Sequence, residues 1–383
     1  MRSCIDQKRY FRYRFEPSAQ AAEHRELVFI PYWRFKGTLF YATREKGVAN
    51  QFLDISRIAL PAGINFLPAS LGVRSQALPL KLVSADHQGR FLTPCRLQET
   101  MDEFDRVNQV VRLKVATIFR EYIGETASLI YSPVYVENRQ LYDAVLDQPL
   151  SLAMPDDRDV RDMDTCRPEG ETIFIPGLCP DCGWDLEGAA QSLTLTCLNC
   201  RSLWRPRRGA LVRVRFGLVA SDNPDAVYLP FWRMEADVAG VPLASYADMV
   251  RLANLPRVVQ TAWEEMPLAF WSTAFKVRGD IFHRLNQQLT CAQPRTDLAE
   301  TITNRRLHPI TLPAAEGLES IKITLISILR PPEDWLPRYP DISVFPTRVT
   351  LVFLPFEDRR LDLYYRDINL SIDKNVLAHA GNL

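Results

Sequence analysis

The chain has 383 residues, enough for two ordinary domains and a small insert. Apolar residues make up 47% and charged residues 24%, which excludes a disordered chain and predicts packed cores. Lys+Arg and Asp+Glu are both 46, so the net charge is zero; this excludes a surface basic throughout and leaves room only for a local basic patch.

The first residues, Met1-Arg2-Ser3-Cys4-Ile5, lack the apolar core of a signal peptide. No apolar run reaches the roughly 18–20 residues that a membrane span needs. Cys4, Cys95, Cys166 and Cys291 are scattered singletons and read as reduced thiols, which points to the cytoplasm.

Residues 9–15 alternate, with Phe11, Tyr13 and Phe15 on one face and Arg12 and Arg14 on the other. The pattern predicts a half-buried strand with a charged outer face, in preference to a basic-aromatic nucleic-acid contact. Residues 27–41 predict a hairpin turning at Gly37. Their core, Pro31-Tyr32-Trp33-Arg34, recurs as Pro230-Phe231-Trp232-Arg233. Fainter copies surround Pro133 and Pro355, each followed by a second strand, at Gln140–Val145 and Arg360–Tyr365. Ser70–Arg74 parallels Ala274–Arg278, and Phe91–Pro94 parallels Ile310–Pro313, each of the latter pair placing a proline at the start of a helix. These repeats predict an internal duplication, with halves at 9–150 and 209–377.

In the first half, Met101, Phe104, Val107, Val111, Val115, Ile118 and Tyr122 recur at three and four, predicting a helix over Cys95–Ile123 that Gly124 stops. Thr100 and Glu103 have capping-box spacing inside it. The partner helix, Ala314–Leu329, is β-branched (Ile321, Thr324, Ile326, Ile328) and is assigned by its repeat position. Shorter helices are expected at Ile281–Leu289 and Asp297–Arg305. Residues 151–176 read as a charged linker containing Cys166, and Arg330–Pro340 as a rigid proline-rich loop.

The strongest chemical signal is Cys179-Pro-Asp-Cys182, followed after fourteen residues by Cys197-Leu-Asn-Cys200. Two such pairs supply four thiolates at tetrahedral corners, which suits one structural Zn(II). Gly183 follows the first pair, where a turn favours positive φ, and Ser192–Thr196 and Ala210–Val214 are strand-like. The pattern over residues 177–215 resembles a zinc ribbon, a small β-module of transcription-type factors and polymerase subunits; its core is placed at 177–208. The resemblance implies metal, and it implies no single function, because such ribbons bind DNA, RNA or proteins. A thioredoxin-like site would show one pair in a βαβ context. A catalytic zinc would keep an open position with histidine or carboxylate ligands, and no histidine lies between residues 88 and 282.

Arg201, Arg205, Arg207 and Arg208 surround Trp204 and form the most basic local run. They read as a solvated loop with Trp204 packed on the knuckle, or as a surface that stacks bases and holds phosphates. Trp33, Arg34, Trp232 and Arg233 read as a core signature or as a pair of edge grooves for a partner peptide, since proline belongs at sheet edges. The five histidines stand isolated, and no nucleophile–base–orienter set assembles in the sequence.

The expectation is therefore an α+β protein: two duplicated halves of mixed or antiparallel sheet plus helix, with a zinc ribbon between them. Function is expected to be that of a non-enzymatic cytoplasmic scaffold or adaptor whose ribbon contacts a protein partner, with homo-oligomerisation also open. Nucleic-acid binding through the ribbon arginines is the second reading, and an enzyme with a site between the halves the third.

Overall fold

The computed structural model describes residues 10–24, 26–43, 47–83, 87, 89–102, 117–150, 159–167, 175–189, 191–207, 209–295, 298–299 and 306–378. The chain divides into two compact units. The first comprises residues 1–37, 53–114 and 125–173, the second residues 38–52, 115–124 and 174–383. The expected α+β class is present, with three sheets and several helices among the described residues. No helix among them is long and apolar enough to cross a membrane.

The first sheet is built from β1 (Phe11–Phe15), β2 (Val28–Thr43), β3 (Gly47–Ile58), β4 (Leu80–Leu82), β5 (Arg90–Phe91), β6 (Thr117–Glu137), β7 (Gln140–Asp143) and β8 (Gln148–Pro149). Its order is β3-β2-β6-β1-β4, with β5 on β2 and the β7–β8 hairpin on β6. A small sheet follows, from β9 (Leu186–Glu187), β10 (Leu195–Cys197), β11 (Ser202–Arg207) and β12 (Ala210–Val214). The third sheet comprises β13 (Phe216–Val219), β14 (Val227–Ala239), β15 (Ala269–Thr273), β16 (Leu298–Ala299), β17 (Arg306–Leu307), β18 (Ser343–Asp358), β19 (Asp362–Tyr365) and β20 (Leu370–Asp373). Its order, β15-β14-β18-β13-β16 with β17 on β14 and β19–β20 on β18, is that of the first sheet strand for strand. Pairing senses agree too. β1 runs parallel to β6 as β13 does to β18, and β5 parallel to β2 as β17 does to β14. The helices among the described residues are α1 (Ala19–His24), α2 (Arg74–Ala77), α3 (97–102), α4 (Tyr246–Leu252), α5 (Gly279–Ala292), α6 (Ala314–Ile328), α7 (Pro332–Trp335) and α8 (Lys374–Ala378).

The Pro-aromatic-Trp motif has the same local role in both sheets. Pro31 carbonyl accepts from Ala59 N–H (2.9 Å), and Cys95 N–H donates to Ala59 carbonyl (2.8 Å). The Trp33 indole N–H then donates to Cys95 carbonyl (2.9 Å), just before α3. In the third sheet Ala274 N–H donates to Pro230 carbonyl (3.0 Å), Thr311 and Leu312 N–H donate to Ala274 carbonyl, and Trp232 Nε1 donates to Leu312 carbonyl (3.0 Å), just before α6. Each tryptophan pins the approach to a helix onto the sheet. Ala274 thus occupies the bonding place of Ala59, not that of Ser70 as the sequence alignment had it. Contrary to the edge expectation for proline, β2 and β14 are interior strands. The prolines are tolerated because a residue's N and C=O share a side of the strand. Each proline nitrogen faces the gap between two short neighbours, β5 and β3 or β17 and β15, so no ladder bond is lost.

Other expectations are corrected. β2 runs straight through Gly37, since a glycine without a turn residue beside it does not bend a strand. In β1, Arg14 is buried and paired with Glu16 (2.7 Å), while Phe11 is exposed, so the expected outer face is partly reversed. Residues 117–123, expected at the end of a long helix, belong to β6, with Phe119 and Ile123 buried. Spacings of three and four also occur in a run of β-branched and aromatic residues, and pairing within the sheet decides between the two forms. The middle of that expected helix, 103–116, lies outside the described residues. Gly124 is a strand residue with φ of 70°, and its N–H donates to Glu316 Oε2 (2.7 Å). Thr100 lies within α3 and bonds back to Arg96 carbonyl, so it is no cap. Pro313 is the residue preceding α6, and Pro94 lies three residues before α3. Residues 298–299 are strand, the rest of the helix expected at Asp297–Arg305 being outside the described residues. The proline-rich stretch holds a helical turn, Pro332–Trp335, and a 3-10 segment, Leu336–Asp341. Helix α6 forms as expected despite its β-branched residues, because most of them are buried.

In the second unit α5 closes the outer edge of β15. Asn286 Oδ1 accepts from Thr273 N–H (3.1 Å), Thr290 Oγ1 from Trp271 N–H (3.0 Å) and Gln293 Oε1 from Ala269 N–H (3.2 Å). Spacings of four and three on a helix match the alternate outward groups of a strand. The segments 38–52 and 115–124 also belong to this unit, where Phe119 stacks on Tyr339 (3.9 Å) and the Tyr339 hydroxyl donates to Glu121 (2.9 Å).

Replacing Trp232 by Phe removes the indole donor and leaves the buried Leu312 carbonyl unpaired. A loss of about 1–3 kcal/mol is expected in urea unfolding. The exposed Trp184→Phe should stay within about 0.5 kcal/mol of the parent. Burial raises the Glu121 carboxyl above its ordinary range, against the opposing effects of Tyr339 and Lys322. The folded state therefore keeps a proton that the unfolded state loses, and stability falls as pH rises from the ordinary carboxylate range through the raised value. Thermal unfolding of Glu121→Gln, measured across that range, should lack this component.

Candidate metal centre and adjoining cleft

Two tight turns present the four cysteines. Gly183, after Cys182, has φ of 73°, and its N–H donates to Cys179 carbonyl (2.8 Å). Arg201, after Cys200, repeats the left-handed conformation with φ of 59°, a cost for a residue with a side chain. β9 and β11 flank β10, so Cys197 pairs with Leu186 on one side and Ser202 on the other. The Sγ atoms of Cys179 and Cys200 lie 3.5 Å apart, as do those of Cys182 and Cys197. All four lie within 4.8 Å of one another and could hold a metal ion, and no histidine or carboxylate joins the cluster among the described residues. Cys179 and Cys197 are buried, Cys200 is half-buried and Cys182 exposed.

Burial pushes the Cys197 thiol up to about 12. It pushes Cys179 up as well, but the N–H groups of Cys182 and Asp181 and the neighbouring Cys200 prevail and bring that thiol to about 6. Four sulfurs this close ionise together only around a cation. Behind them, Ser202 Oγ lies 2.9 Å from Cys200 Sγ and accepts from Trp204 Nε1 (2.7 Å). Trp204 is buried against the cysteines with Leu186 and Leu211. The sequence analysis missed Ser202; its place two residues beyond the last cysteine, where a strand begins, was the available signal.

The arginines separate from the tryptophan. Along β11, Trp204 faces the cysteines while Leu203, Arg205 and Arg207 occupy the opposite face. Arg201, Arg205 and Arg207 are exposed, and Arg208 lies outside the described residues. The other tryptophan–arginine pairs are engaged inside the fold. Trp33 is buried, and Arg34 forms a two-pronged ion pair with Asp54 (2.8 and 2.7 Å). Trp232 is half-buried, and Arg233 pairs with Glu235. Cys166 lies against Leu92 carbonyl (3.8 Å), outside the cysteine cluster.

The cysteine module is tied to the third sheet by Leu193 N–H, which donates to Ile310 carbonyl (2.7 Å). Beside that bond opens a cleft of about 550 Å³. One wall is the module face carrying Glu187, Thr194, Thr196 and Leu203, and the other is the segment 306–310, with Phe353 also in the lining. Burial lowers His308, keeping its ring neutral near pH 7, and the ring packs on Phe275. Arg306 is paired with Asp358 (2.6 Å). Sequence reasoning could not see this cleft, because its walls are more than a hundred residues apart. No protein family, no curated protein and no solved structure matches this chain.

Proposed function

We propose that the chain is a zinc-stabilised scaffold or adaptor that engages a protein partner through its cysteine module. The observation that carries the metal reading is the cluster of four sulfurs, which no histidine or carboxylate joins among the described residues. Such a donor set favours Zn(II) over hard cations, and four thiolates leave no open position for a substrate. Cys179, Cys182, Cys197 and Cys200 would hold the ion, Ser202 would orient two of the sulfurs, and the role is structural. Sulfurs that must stay reduced fit a reducing compartment such as the cytoplasm. An origin by duplication is supported by the matched strand orders. It is also supported by two matched clusters: Phe29, Trp33, Ala59, Phe91, Leu129 and Tyr131 against Tyr228, Trp232, Ala274, Leu307, Leu351 and Phe353.

Metal analysis of the purified chain should return one zinc per chain, and Cys197→Ser/Cys200→Ser should return none. Structural zinc sites contribute about 10–16 kcal/mol in isolated peptides. Amide exchange should therefore rise steeply over β9–β12 in that variant, while β14 and β18 keep their protection. Absence of zinc from the parent chain would end the metal reading.

The exposed Arg205 and Arg207, on one face of β11, favour nucleic acid as the second reading. Binding to duplex DNA through a few phosphates should weaken with salt at a log–log slope of about −0.9 per phosphate. Unchanged affinity in an Arg205/Arg207/Arg208 triple alanine variant would remove this reading.

A further inference from the structure

The two sheets treat one strand edge differently. In the first unit the outer edge of β5 is covered by the chain itself. Cys166 N–H donates to Phe91 carbonyl (2.8 Å), Thr93 N–H donates to Asp164 carbonyl (2.9 Å), and Leu92 and Thr165 pair antiparallel. The matching strand of the third sheet is β17, because His308 N–H bonds Tyr228 carbonyl (2.9 Å) as Leu92 N–H bonds Phe29 carbonyl (3.1 Å). Among the described residues β17 pairs with β14 alone. Its outer edge, at Leu307, forms one wall of the cleft beside the cysteine module.

From this contrast we infer that the cleft is a docking slot for an extended segment of a partner protein, added antiparallel to β17. The inference rests on the partner-binding reading above. Leu307 presents its N–H and C=O outward, since the flanking residue His308 uses its N–H inward. A partner residue opposite Leu307 exchanges two backbone bonds with it. Pro309 stands where Thr93 donates in the first unit and has no N–H, so the pairing stops there and its register is set. The slot also states what side chains it takes. Leu203, Leu307, Ile310 and Phe353 offer an apolar lining for one anchor residue. Above them, Arg205 lies one residue beyond the paired register, opposite Thr194, with Arg207 farther along the same face. Arg306 on the other wall is already paired with Asp358, so the free cations are the exposed Arg205 and Arg207, which lie above a lining whose one carboxylate is Glu187. The occupant is an extended acidic segment with one apolar anchor, bound by strand addition.

The test pans a phage-displayed library of random dodecapeptides on the full-length, zinc-loaded chain and measures fluorescein-labelled winners by anisotropy. Acidic peptides with an apolar centre should bind in the micromolar range and slow amide exchange at Leu307. Ala189→Trp, which fills the cleft from an exposed wall, and Arg205→Glu on its rim should each weaken binding at least tenfold while zinc content and thermal unfolding stay unchanged. Peptides that bind equally to both variants, or protect no amide at Leu307, overturn the slot. Preferential cleft binding of a single-stranded DNA oligonucleotide overturns it in favour of nucleic acid. Partner capture lost in Cys197→Ser/Cys200→Ser but untouched by Ala189→Trp would overturn the slot and leave the scaffold reading standing.

Discussion

One hydrogen bond, made twice, organises the two large sheets. An indole N–H on an interior strand reaches the carbonyl of the residue at which the chain turns toward a helix. A helix approaching a sheet has backbone groups that belong to neither element, and burying them unpaired is expensive. The tryptophan fills the space beneath the turn and supplies the missing donor. The proline two residues earlier gives its carbonyl to the returning strand end, and its nitrogen needs no partner where it lies. The motif is thus a device for joining helix to sheet, which explains its recurrence without recourse to a ligand.

The cysteine module follows a different logic. It has almost no apolar core of its own beyond Trp204, Leu186 and Leu211. A sheet this small does not bury enough surface to hold itself, and four clustered sulfurs that could hold a metal ion stand where packing is missing. Its four sulfurs repel one another when ionised and gain by sharing a cation. Ser202 links that electrostatic centre to the packed one, touching sulfur on one side and the Trp204 indole on the other.

Sheet edges are managed one by one. α5 closes β15 with side-chain amides and a hydroxyl that imitate a neighbouring strand, and residues 164–166 close β5 with real backbone pairing. Pro309, two residues past β17, limits pairing with unwanted strands at that edge, beside the cleft.

The cluster of four cysteines, which could hold a metal ion, was legible in the sequence because its chemistry is local: two short turns of fixed spacing bring sulfurs together whatever surrounds them. The same holds for the α+β class and for α5, whereas α6 was placed by its repeat position, since its β-branched residues argue against a helix on propensity alone. The strand identity of residues 117–123 was not legible, since a spacing that suits a helix also suits a run of aromatic and β-branched residues, and only the neighbouring strand chooses. The partners of Arg34, Trp33 and Gly124 were likewise hidden, each being supplied from 20 or more residues away. Local geometry and ligand type were thus determined by the sequence itself. Which edge is closed, which arginine faces which wall, and where a cleft opens were decided by tertiary structure alone, because backbone groups are satisfied by whatever strand, helix or loop arrives beside them.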